Sequence, residues 1–328
     1  MKLSLLDRSR TRIGRPEAGG LTGSIERAVN AERLGYERFW VAEHHAVPGI
    51  ASGSPPVLLA AIGARTNHIR LGSGGVMLPH HQPLVVAEQF LMLEALHPGR
   101  IDLGLGRSLG FTAPVREALR DHGPDTFEDD LRDLRAYLDG DAAVTARPQA
   151  PDRVPMYVLA TGRGTVIAAR LGLPVVIGGP ILFESGLAEQ RLDEALASYR
   201  RDFRPSPGVE RPYVVASLDA TVADDDATAR ELALPEAWAM ARSRQTGEFP
   251  PLESVADIRG QTWTAQVRDR VEASLDRAVA GSPQTVRRAL ERLAERTGAD
   301  ELLASTSTYD REALFASDEA LRDLVTTV

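Results

Sequence analysis

The chain has 328 residues, 43% of them hydrophobic and 26% charged, which is the balance of a globular protein with a sizeable core. Its formal net charge of -8 argues against a nucleic-acid partner held by bulk electrostatics. The absence of cysteine excludes disulfides, zinc–thiolate sites, iron–sulfur clusters and thiol nucleophiles.

Short apolar runs alternate with longer amphipathic segments along the chain, and we interpret the runs as strands. The eight predicted strands are Lys2–Leu6, Arg38–Ala42, Ile69–Leu78, Arg100–Leu105, Val154–Ala160, Leu173–Ile177, Tyr213–Val222 and Glu301–Ser305. The clearest helix follows Ser282, with Pro283 at its first position, and ends at Gly298. Because parallel strands need a crossover connection, the alternation predicts a parallel sheet. About eight such units favour a closed (β/α)8 barrel, the TIM barrel.

Two stretches interrupt this repeat. Residues 140–151 are typical of a loop, and residues 224–262 of an insertion near the seventh βα unit, with its own helix and a proline-rich segment, Phe249–Leu252. We interpret residues 1–328 as a single barrel domain that carries this insertion. Since lids over active sites commonly come from such segments, the insertion is our candidate lid.

Polar residues and glycines follow six of the predicted strands. These segments are Glu43-His44-His45, Gly72–Gly75, Gly104–Ser108, Thr161–Thr165, Gly178-Gly179 and Ser305–Ser307. In a barrel they gather at the C-terminal face, where βα loops build active sites. Turns favour glycine and serine in any case, so the convergence of several segments, and no single one of them, indicates a site.

The segment Thr161–Thr165 follows a strand and opens a helix, so its backbone N–H groups and the helix dipole can receive an anion. Arg163 could add charge, and Arg107 could form a charged fork on the same phosphate. A flexible turn and an ion-paired arginine are the alternatives. Gly162 and Gly164 alone do not make the dinucleotide-binding fingerprint.

The adjacent histidines His44 and His45 are candidates for proton transfer near neutral pH. In extended chain they point to opposite faces, so only one can look into the barrel mouth and they form a poor metal-binding pair. His80-His81 could supply further ligands, but no histidine occurs after His122. We therefore expect no metal site.

The sequence resembles the bacterial luciferase-like flavin monooxygenases, especially the short single-chain members associated with bacterial secondary metabolism such as antibiotic biosynthesis. The resemblance covers nearly the whole chain. Its most specific stretches are Trp40–His45 (WVAEHH), Ile69–Pro79 (IRLGSGGVMLP), Pro83–Arg107 and Gly281–Asp310. The combination of these motifs is specific for the family, whereas no single motif would be sufficient.

At the predicted active site, the resemblance implies roles for the residues after the second and third strands. His44 matches the catalytic histidine beside the flavin ring, where it manages protons as a flavin hydroperoxide forms. Glu43 is expected to support it, and His45 to be more structural. Gly74 and Gly75 match a position where relatives have a cis peptide bond behind the ring, and with Ser73 they are our candidate ring contacts.

For the cofactor phosphate, the resemblance implies Arg107 together with the loop residues Thr161, Gly162 and Thr165. Relatives often have an acidic residue or serine where this chain has Thr161-Gly162. Gly106 stands where luciferase itself has a reactive cysteine, so we do not expect light emission.

The resemblance predicts a monooxygenase that uses reduced FMN and O2 to oxygenate a small organic substrate by hydroxylation, epoxidation or Baeyer–Villiger insertion. Because the chain shows no nicotinamide fingerprint, a separate NAD(P)H:flavin reductase should supply the reduced FMN. Two alternatives stay open, namely hydride transfer from a reduced deazaflavin and flavin binding without catalysis. The Glu43-His44-His45 triplet favours the FMN branch.

Relatives pair through the helices after the second and third strands, so we expect a homodimer. Pro55–Ala64 and Leu84–Leu93 are apolar enough to serve, through Leu58, Leu59, Ile62, Phe90 and Leu91, although these residues could equally pack on the barrel. Charged residues near the start and the lack of a run of about 20 apolar residues favour a cytoplasmic protein without membrane spans. Candidate pocket-lining aromatic residues are Phe111, Phe183 and Trp238.

Overall fold

The computed structural model describes residues 1–110, 112–119, 126–160 and 162–326. Within them the strands are β1 (Lys2–Asp7), β2 (Arg38–Val41), β3 (Arg70–Met77), β4 (Ile101–Gly106), β5 (Met156–Leu159), β6 (Val175–Gly178), β7 (Val214–Leu218), β8 (Ala220–Val222), β9 (Val279–Gly281) and β10 (Glu301–Ala304). The helices are α1 (Ala18–Leu34), α2 (Pro55–Gly63), α3 (Pro83–Leu96), α4 (Ala113–Ala118), α5 (Phe127–Asp139), α6 (Arg163–Leu171), α7 (Leu187–Asp202), α8 (Asp226–Thr246), α9 (Val255–Arg259), α10 (Ala265–Leu275), α11 (Pro283–Thr297) and α12 (Arg311–Thr326). Short 3-10 helices span Leu78–His80 and Pro180–Leu182.

Eight of the strands close into a parallel barrel in the order β1-β10-β7-β6-β5-β4-β3-β2. With the helices between its strands, this barrel confirms the predicted (β/α)8 fold. The clearest predicted helix is α11, where the Ser282 hydroxyl accepts the Thr285 N–H and Gly298 ends the helix at a φ of 57°. No helix in the described part of the chain combines the length and the apolar character needed to cross a membrane.

The predicted strand Tyr213–Val222 is in fact two strands, β7 in the barrel and β8 beyond its rim. β8 pairs in parallel with β9, with Ala220 opposite Val279. This pairing joins segments that are far apart in sequence, so a local apolar run could not reveal it. The small sheet holds together the two ends of the chain segment that leaves the barrel after β7.

The inside of the barrel has a charged layer beneath an apolar one. Near the amino ends of the strands, Arg38 donates to Asp102 and to Glu301, both at 2.7 Å, and all three are buried. Above them lies a buried apolar cluster made of Leu6, Trp40, Ala42, Tyr157, Val176, Val215 and Leu303. The ion pairs satisfy one another's buried charges and close the amino end of the barrel. The apolar layer lies between these ion pairs and the carboxyl ends of the strands.

A second buried ion cluster joins the first and last βα units. Arg27 of α1 donates twice to Asp318 of α12, at 2.8 and 2.7 Å, and once to Asp7 of β1 at 3.0 Å. Arg27 is 1% exposed and Asp318 is fully buried. The cluster therefore links both ends of the chain across the seam where the barrel closes.

The predicted insertion contains α8, α9 and α10, so it extends beyond residue 262 to the end of α10. Its proline-rich segment is fixed to the barrel rim by backbone hydrogen bonds. Ile13 N–H donates to the Leu252 carbonyl and Leu252 N–H to the Thr11 carbonyl, both at 2.9 Å, and Gly49 N–H donates to the Phe249 carbonyl at 2.8 Å. This segment of the insertion is therefore anchored to the barrel rim, and the role of the insertion as a lid stays a prediction.

Trp238 lies in a separate hydrophobic core within the insertion, which corrects its assignment as a pocket-lining residue. It is 2% exposed, its ring lies 5.1 Å from that of Trp263, and its Nε1 donates to Glu253 at 2.7 Å. Helices α8 and α10 pack against each other around this pair. The tryptophan thus stabilises the insertion itself.

The apolar residues named for dimerisation on α2 and α3 pack against the barrel. Leu58, Leu59, Ile62, Phe90 and Leu91 are at most 6% exposed within the single chain. The apolar residues that these helices do expose are Val57, Val85, Met92 and Leu96. Any contact with a second copy would therefore use this second set.

Candidate active site

A cavity of about 530 Å³ lies at the carboxyl ends of β2, β3, β4 and β5. Its lining residues are Glu43, His44, His45, Gly74, Gly75, Met77, Gly106, Arg107, Ser108, Gly110, Val115, Leu119, Leu159 and Ala160. The volume is within the range of about 300–1,000 Å³ that is usual for cofactor sites. The cavity brings together His44, the two glycines and Arg107, which are separated in sequence.

Glu43 is buried in the wall of this cavity and accepts three hydrogen bonds. His45 Nε2 lies 2.6 Å and His81 Nε2 2.7 Å from its Oε1, and Met77 N–H donates to Oε2 at 3.1 Å. Although burial alone would raise it, the hydrogen bonds from the two imidazoles and the amide lower the pKa of Glu43 to about 2. Glu43 is therefore ionised, and its hydrogen bonds to His45 and His81 fix the segment that contains His44.

The role of His81 was not predicted, because its contact with Glu43 depends on how the loop after β3 folds back over β2. The ligand atoms of Glu43, His45 and His81 lie within 4.8 Å of one another. This cluster, and not the adjacent pair of His44 and His45 weighed from the sequence, is where a divalent cation would find ligands. In the structure these groups are hydrogen-bonded to each other.

His44 is partly buried beside a group of charged residues that sequence reasoning missed. Arg8 donates to Asp219 at 3.1 Å and to Glu236 at 3.3 Å, and Arg10 donates to Glu236 at 2.9 Å. Burial and the positive charges of Arg8 and Arg10 lower the pKa of His44 to about 4. Its imidazole is therefore neutral at physiological pH.

The lowered pKa of His44 gives a titration that can be measured directly. We expect its ring-proton NMR signal, assigned by comparison with a His44→Asn variant, to titrate near pH 4 and to stay constant between pH 6 and 8. In the unfolded chain an ordinary histidine has a pKa of about 6.5, so only the unfolded state gains this proton between pH 6.5 and 4. The contribution of His44 to stability should fall as the pH falls through that window. A midpoint near pH 6.5 in the folded protein would contradict this.

Gly74 and Gly75, which we call the glycine corner, lie near the end of β3 and form the back wall of the cavity. The peptide bond between Gly74 and Gly75 is cis, as the resemblance implied. A Cβ atom on Gly74 would lie 2.5 Å from Leu6 Cδ1, and one on Gly75 would lie 2.8 Å from the Gly104 carbonyl oxygen. Because neither position has room for a side chain toward the barrel, backbone alone faces the cavity here.

Ser73, which precedes Gly74 and Gly75, is not among the residues that line the cavity. It is fully buried, its hydroxyl donates to the Gly104 carbonyl at 2.8 Å, and it accepts the Gly104 N–H at 3.1 Å. Ser73 is among the cofactor contacts predicted from the sequence. In the structure its side chain bridges β3 and β4, so it holds the cavity wall in place and does not line the cavity.

The structure describes three of the four residues that are predicted to bind the cofactor phosphate. Arg107 follows β4 and lines the cavity, and Ala160 lies at its edge just before α6. Gly162 precedes α6 with a φ of 63°, and a Cβ atom there would meet nothing within 4 Å. The Thr165 hydroxyl donates to the Gly162 carbonyl at 2.8 Å, which leaves backbone amides as the donors at this helix start. Thr161 and the candidate pocket residue Phe111 lie outside the described residues.

Phe183, the remaining candidate aromatic residue, lines a different and smaller cavity of about 160 Å³ at the ends of β6 and β7, together with Ser217 and Asp219. Arg8 also lines it, so this cavity adjoins the charged group next to His44. Phe183 is thus at the same rim as the candidate active site but not in its wall.

The structure thus defines a parallel (β/α)8 barrel protein with a ligand cavity at the carboxyl rim of its strands, lined by a neutral histidine, a glycine corner and an arginine. Comparison with known proteins identifies the family. The family model described as luciferase-like monooxygenase matches residues 1–301. The chain therefore belongs to the luciferase-like monooxygenase family, and the resemblance seen in the sequence is confirmed.

Individual relatives agree with this assignment. A luciferase-like monooxygenase of Escherichia coli (strain K12) is 35% identical over 330 residues, which cover 98% of this chain and 96% of that protein. The N-acetyl-S-alkylcysteine monooxygenase of Bacillus subtilis (strain 168) is 38% identical over 237 residues, 66% of either chain. The crystal structure of apo-MsnO8 is 34% identical, with a TM-score of 0.88 over 100% of this chain and 98% of that one.

A more distant structure shares the fold. The oxygenating constituent of 3,6-diketocamphane monooxygenase from Pseudomonas putida, solved in complex with FMN, has a TM-score of 0.74 at 19% identity and covers 100% of this chain and 98% of that one.

Proposed function

We propose that this protein is a flavin-dependent monooxygenase that binds reduced FMN and uses O2 to oxygenate a small organic substrate. The observation that carries the proposal is the single cavity that joins His44, the Gly74-Gly75 corner and Arg107. The names of two relatives support it, since one is an N-acetyl-S-alkylcysteine monooxygenase and the other was solved with FMN.

The residues of the cavity fit the two ends of such a cofactor. Arg107 offers a guanidinium group for the phosphate, and the amides at the start of α6, after Gly162, offer further donors. The backbone of Gly74 and Gly75 offers a flat wall without side chains for the ring. Thr161, which lies outside the described residues, remains part of the proposed phosphate loop.

Reduced flavin, when bound, supplies the electrons that activate O2 for transfer of one oxygen atom to the substrate. In this proposal the neutral imidazole of His44 accepts and returns a proton at a ring nitrogen. Glu43 holds the flanking His45 and His81, and so fixes the chain that presents His44.

Replacing Arg107 with glutamine should weaken FMN binding by about tenfold to a hundredfold, because a charge-assisted hydrogen bond contributes about 1.5–3 kcal/mol. The dissociation constant can be measured from the quenching of flavin fluorescence. Riboflavin is the matched control ligand, since it lacks the phosphate, and its affinity should not change. Equal weakening of FMN and riboflavin would mean that Arg107 does not bind the phosphate.

The choice of cofactor can be tested separately from the residues. Purified protein mixed anaerobically with reduced FMN or with a reduced deazaflavin should bind the first more tightly, and a panel of organic compounds should include some that increase O2 consumption. Substrate reduction with the deazaflavin and no need for O2 would favour hydride transfer instead. Flavin binding without stimulation by any compound would favour a non-catalytic protein.

We also propose that two copies of the chain pair through the exposed apolar residues of α2 and α3. Val57 is 71% exposed and Met92 is 53% exposed, and with Val85 and Leu96 they place four exposed apolar side chains on two helices that pack against each other. A Val57→Asp, Met92→Asp double variant should sediment as a monomer where the parent sediments as a dimer. Replacement of the exposed Val144 by aspartate is the control and should leave the dimer intact. A parent protein that is monomeric at micromolar concentration would contradict the pairing.

A further inference from the structure

The smaller cavity that Phe183 lines, of about 160 Å³, lies between the barrel rim and the insertion, and we call it the β7 cavity. Its barrel side includes Arg8, Phe183, Ser217 and Asp219. Its other side is formed by α8, α10 and the turn after α10, and includes Met240, Arg244, Ser274 and Arg277. No residue lines both this cavity and the one that contains His44, so the two are separate spaces.

Strand alternation places the β7 cavity at the mouth of the barrel. Val215 of β7 belongs to the apolar layer inside the barrel. Ser217 is two residues further along the same strand, so its side chain points to the same inside face. The β7 cavity therefore lies at the barrel mouth on the side of β6 and β7, whereas the first cavity occupies the side of β2 to β5.

Asp219 is the one carboxylate among the described residues that line the β7 cavity, and its charge is already balanced. It accepts from Arg8 at 3.1 Å. Arg8 also donates to Glu236 at 3.3 Å, and Glu236 accepts from Arg10 at 2.9 Å. These two arginines and two carboxylates form a neutral set, so Asp219 leaves no negative charge over for the other arginines of the cavity.

Arg244 and Arg277 lie outside this neutral set. Neither side chain forms an ion pair or a hydrogen bond with any residue that the structure describes. Asp276, the carboxylate next to Arg277 in sequence, is not part of the lining and is bonded to Arg230 at 3.1 Å. The described lining therefore has two positive charges in excess, which favours an anionic ligand.

The uncharged part of the lining favours an anion with an apolar body. The hydroxyls of Ser217 and Ser274 form no hydrogen bond with the described residues, so they can donate to an anionic oxygen. Phe183 and Met240 offer apolar surface in the same small space. Because Asp219 repels negative charge, a singly charged group is favoured over a doubly charged one such as phosphate. A carboxylic acid with a short hydrocarbon chain meets these conditions.

We propose that the β7 cavity binds a small organic acid, whose carboxylate contacts Arg244 and Arg277 and whose hydrocarbon part contacts Phe183 and Met240. Guanidinium groups suit a carboxylate because they donate paired N–H groups to its two oxygens. An acid held here lies at the same barrel mouth as His44 but touches no residue of the proposed flavin site. Its binding can therefore be measured without flavin.

The test is calorimetric titration of the flavin-free protein with butyrate at low salt, where charge interactions are least screened. We expect one butyrate site with a dissociation constant in the millimolar range or below. Arg244→Gln and Arg277→Gln should each raise this constant by about tenfold or more, as loss of a charged hydrogen bond predicts. Since neither side chain is bonded to a described residue, neither change should disturb folding.

Two variants serve as controls. Arg270→Gln removes the same charge from α10, but Arg270 does not line the β7 cavity, so butyrate should bind to this variant as to the parent. Arg107→Gln should also leave butyrate binding unchanged, while Arg277→Gln should leave FMN binding unchanged. This pair of results separates the β7 cavity from the proposed flavin site, and a failure of one assignment would not affect the other.

The ligand is varied in the same way. Acetate should bind about tenfold more weakly than butyrate, because it lacks two CH2 groups to bury. 1-Butanol, which has the chain but no charge, should bind more weakly still. The β7 cavity is not a site for an organic acid if butyrate shows no saturable binding at millimolar concentration or if 1-butanol binds as tightly. The same conclusion follows if Arg244→Gln and Arg277→Gln have no more effect than Arg270→Gln, or if Arg107→Gln abolishes butyrate binding.

Discussion

Replacing His44 with alanine is expected to lower the turnover number for oxygenation by about a hundredfold to ten-thousandfold, which is the usual contribution of a general acid–base residue. The imidazole lines the same cavity as Arg107, and its pKa of about 4 keeps it neutral at physiological pH before the reaction begins. Turnover would be measured with chemically reduced FMN, so that the supply of reduced flavin does not limit the rate.

The affinity for FMN separates a chemical role of His44 from a role in binding. His44→Ala should bind FMN within a few-fold of the parent, because the proposed phosphate and ring contacts come from other residues. His68→Ala is the matched control, since His68 is an exposed histidine outside the cavity. Full turnover in His44→Ala would show that this imidazole does not take part in the reaction.

Replacing Asp318 with alanine should lower the free energy of unfolding by about 3–5 kcal/mol, because it leaves the buried Arg27 with an uncompensated charge. Arg27 is 1% exposed and would retain only Asp7 as a charged partner. Urea denaturation followed by circular dichroism would measure the change. An effect this large would shift the unfolding midpoint clearly.

The exposed pair of Arg230 and Glu272 provides the comparison for this prediction. Its side chains are 42% and 52% exposed. Glu272→Ala should therefore change the unfolding free energy by less than about 1 kcal/mol. An Asp7→Asn, Arg27→Met, Asp318→Leu triple variant should recover much of the lost stability, since it removes all three charges of the cluster from the interior. Equal effects of Asp318→Ala and Glu272→Ala on the unfolding free energy would show that the buried cluster does not stabilise the contact between the first and last βα units.

The barrel could be predicted because its signal is local. Each strand is a short apolar run, and the caps of α11 at Ser282 and Gly298 are readable residue by residue. The candidate site followed from the same logic, since residues after parallel strands must meet at one rim. This is why His44 and Arg107, which lie 63 positions apart in the numbering, were both expected at one cavity.

Long-range contacts could not be predicted, because nothing in the local pattern specifies them. Glu236 reaches Arg8 and Arg10 from the insertion, and the apolar run that contains Ala220 gives no sign of its pairing with β9. Ser73 stands beside Gly74 in sequence, yet alternation along the strand turns its side chain to Gly104 and away from the cavity. A side-chain direction of this kind depends on strand register, which a sequence of glycine and serine leaves undefined.

The most direct test of the proposed function is a crystal structure of the protein with FMN. We predict electron density for the phosphate on Arg107 and the amides at the start of α6, with the ring against Gly74 and Gly75 and beside His44. Density for FMN outside this cavity, or with its phosphate at the His44 end, would contradict the assignment of both ends of the site.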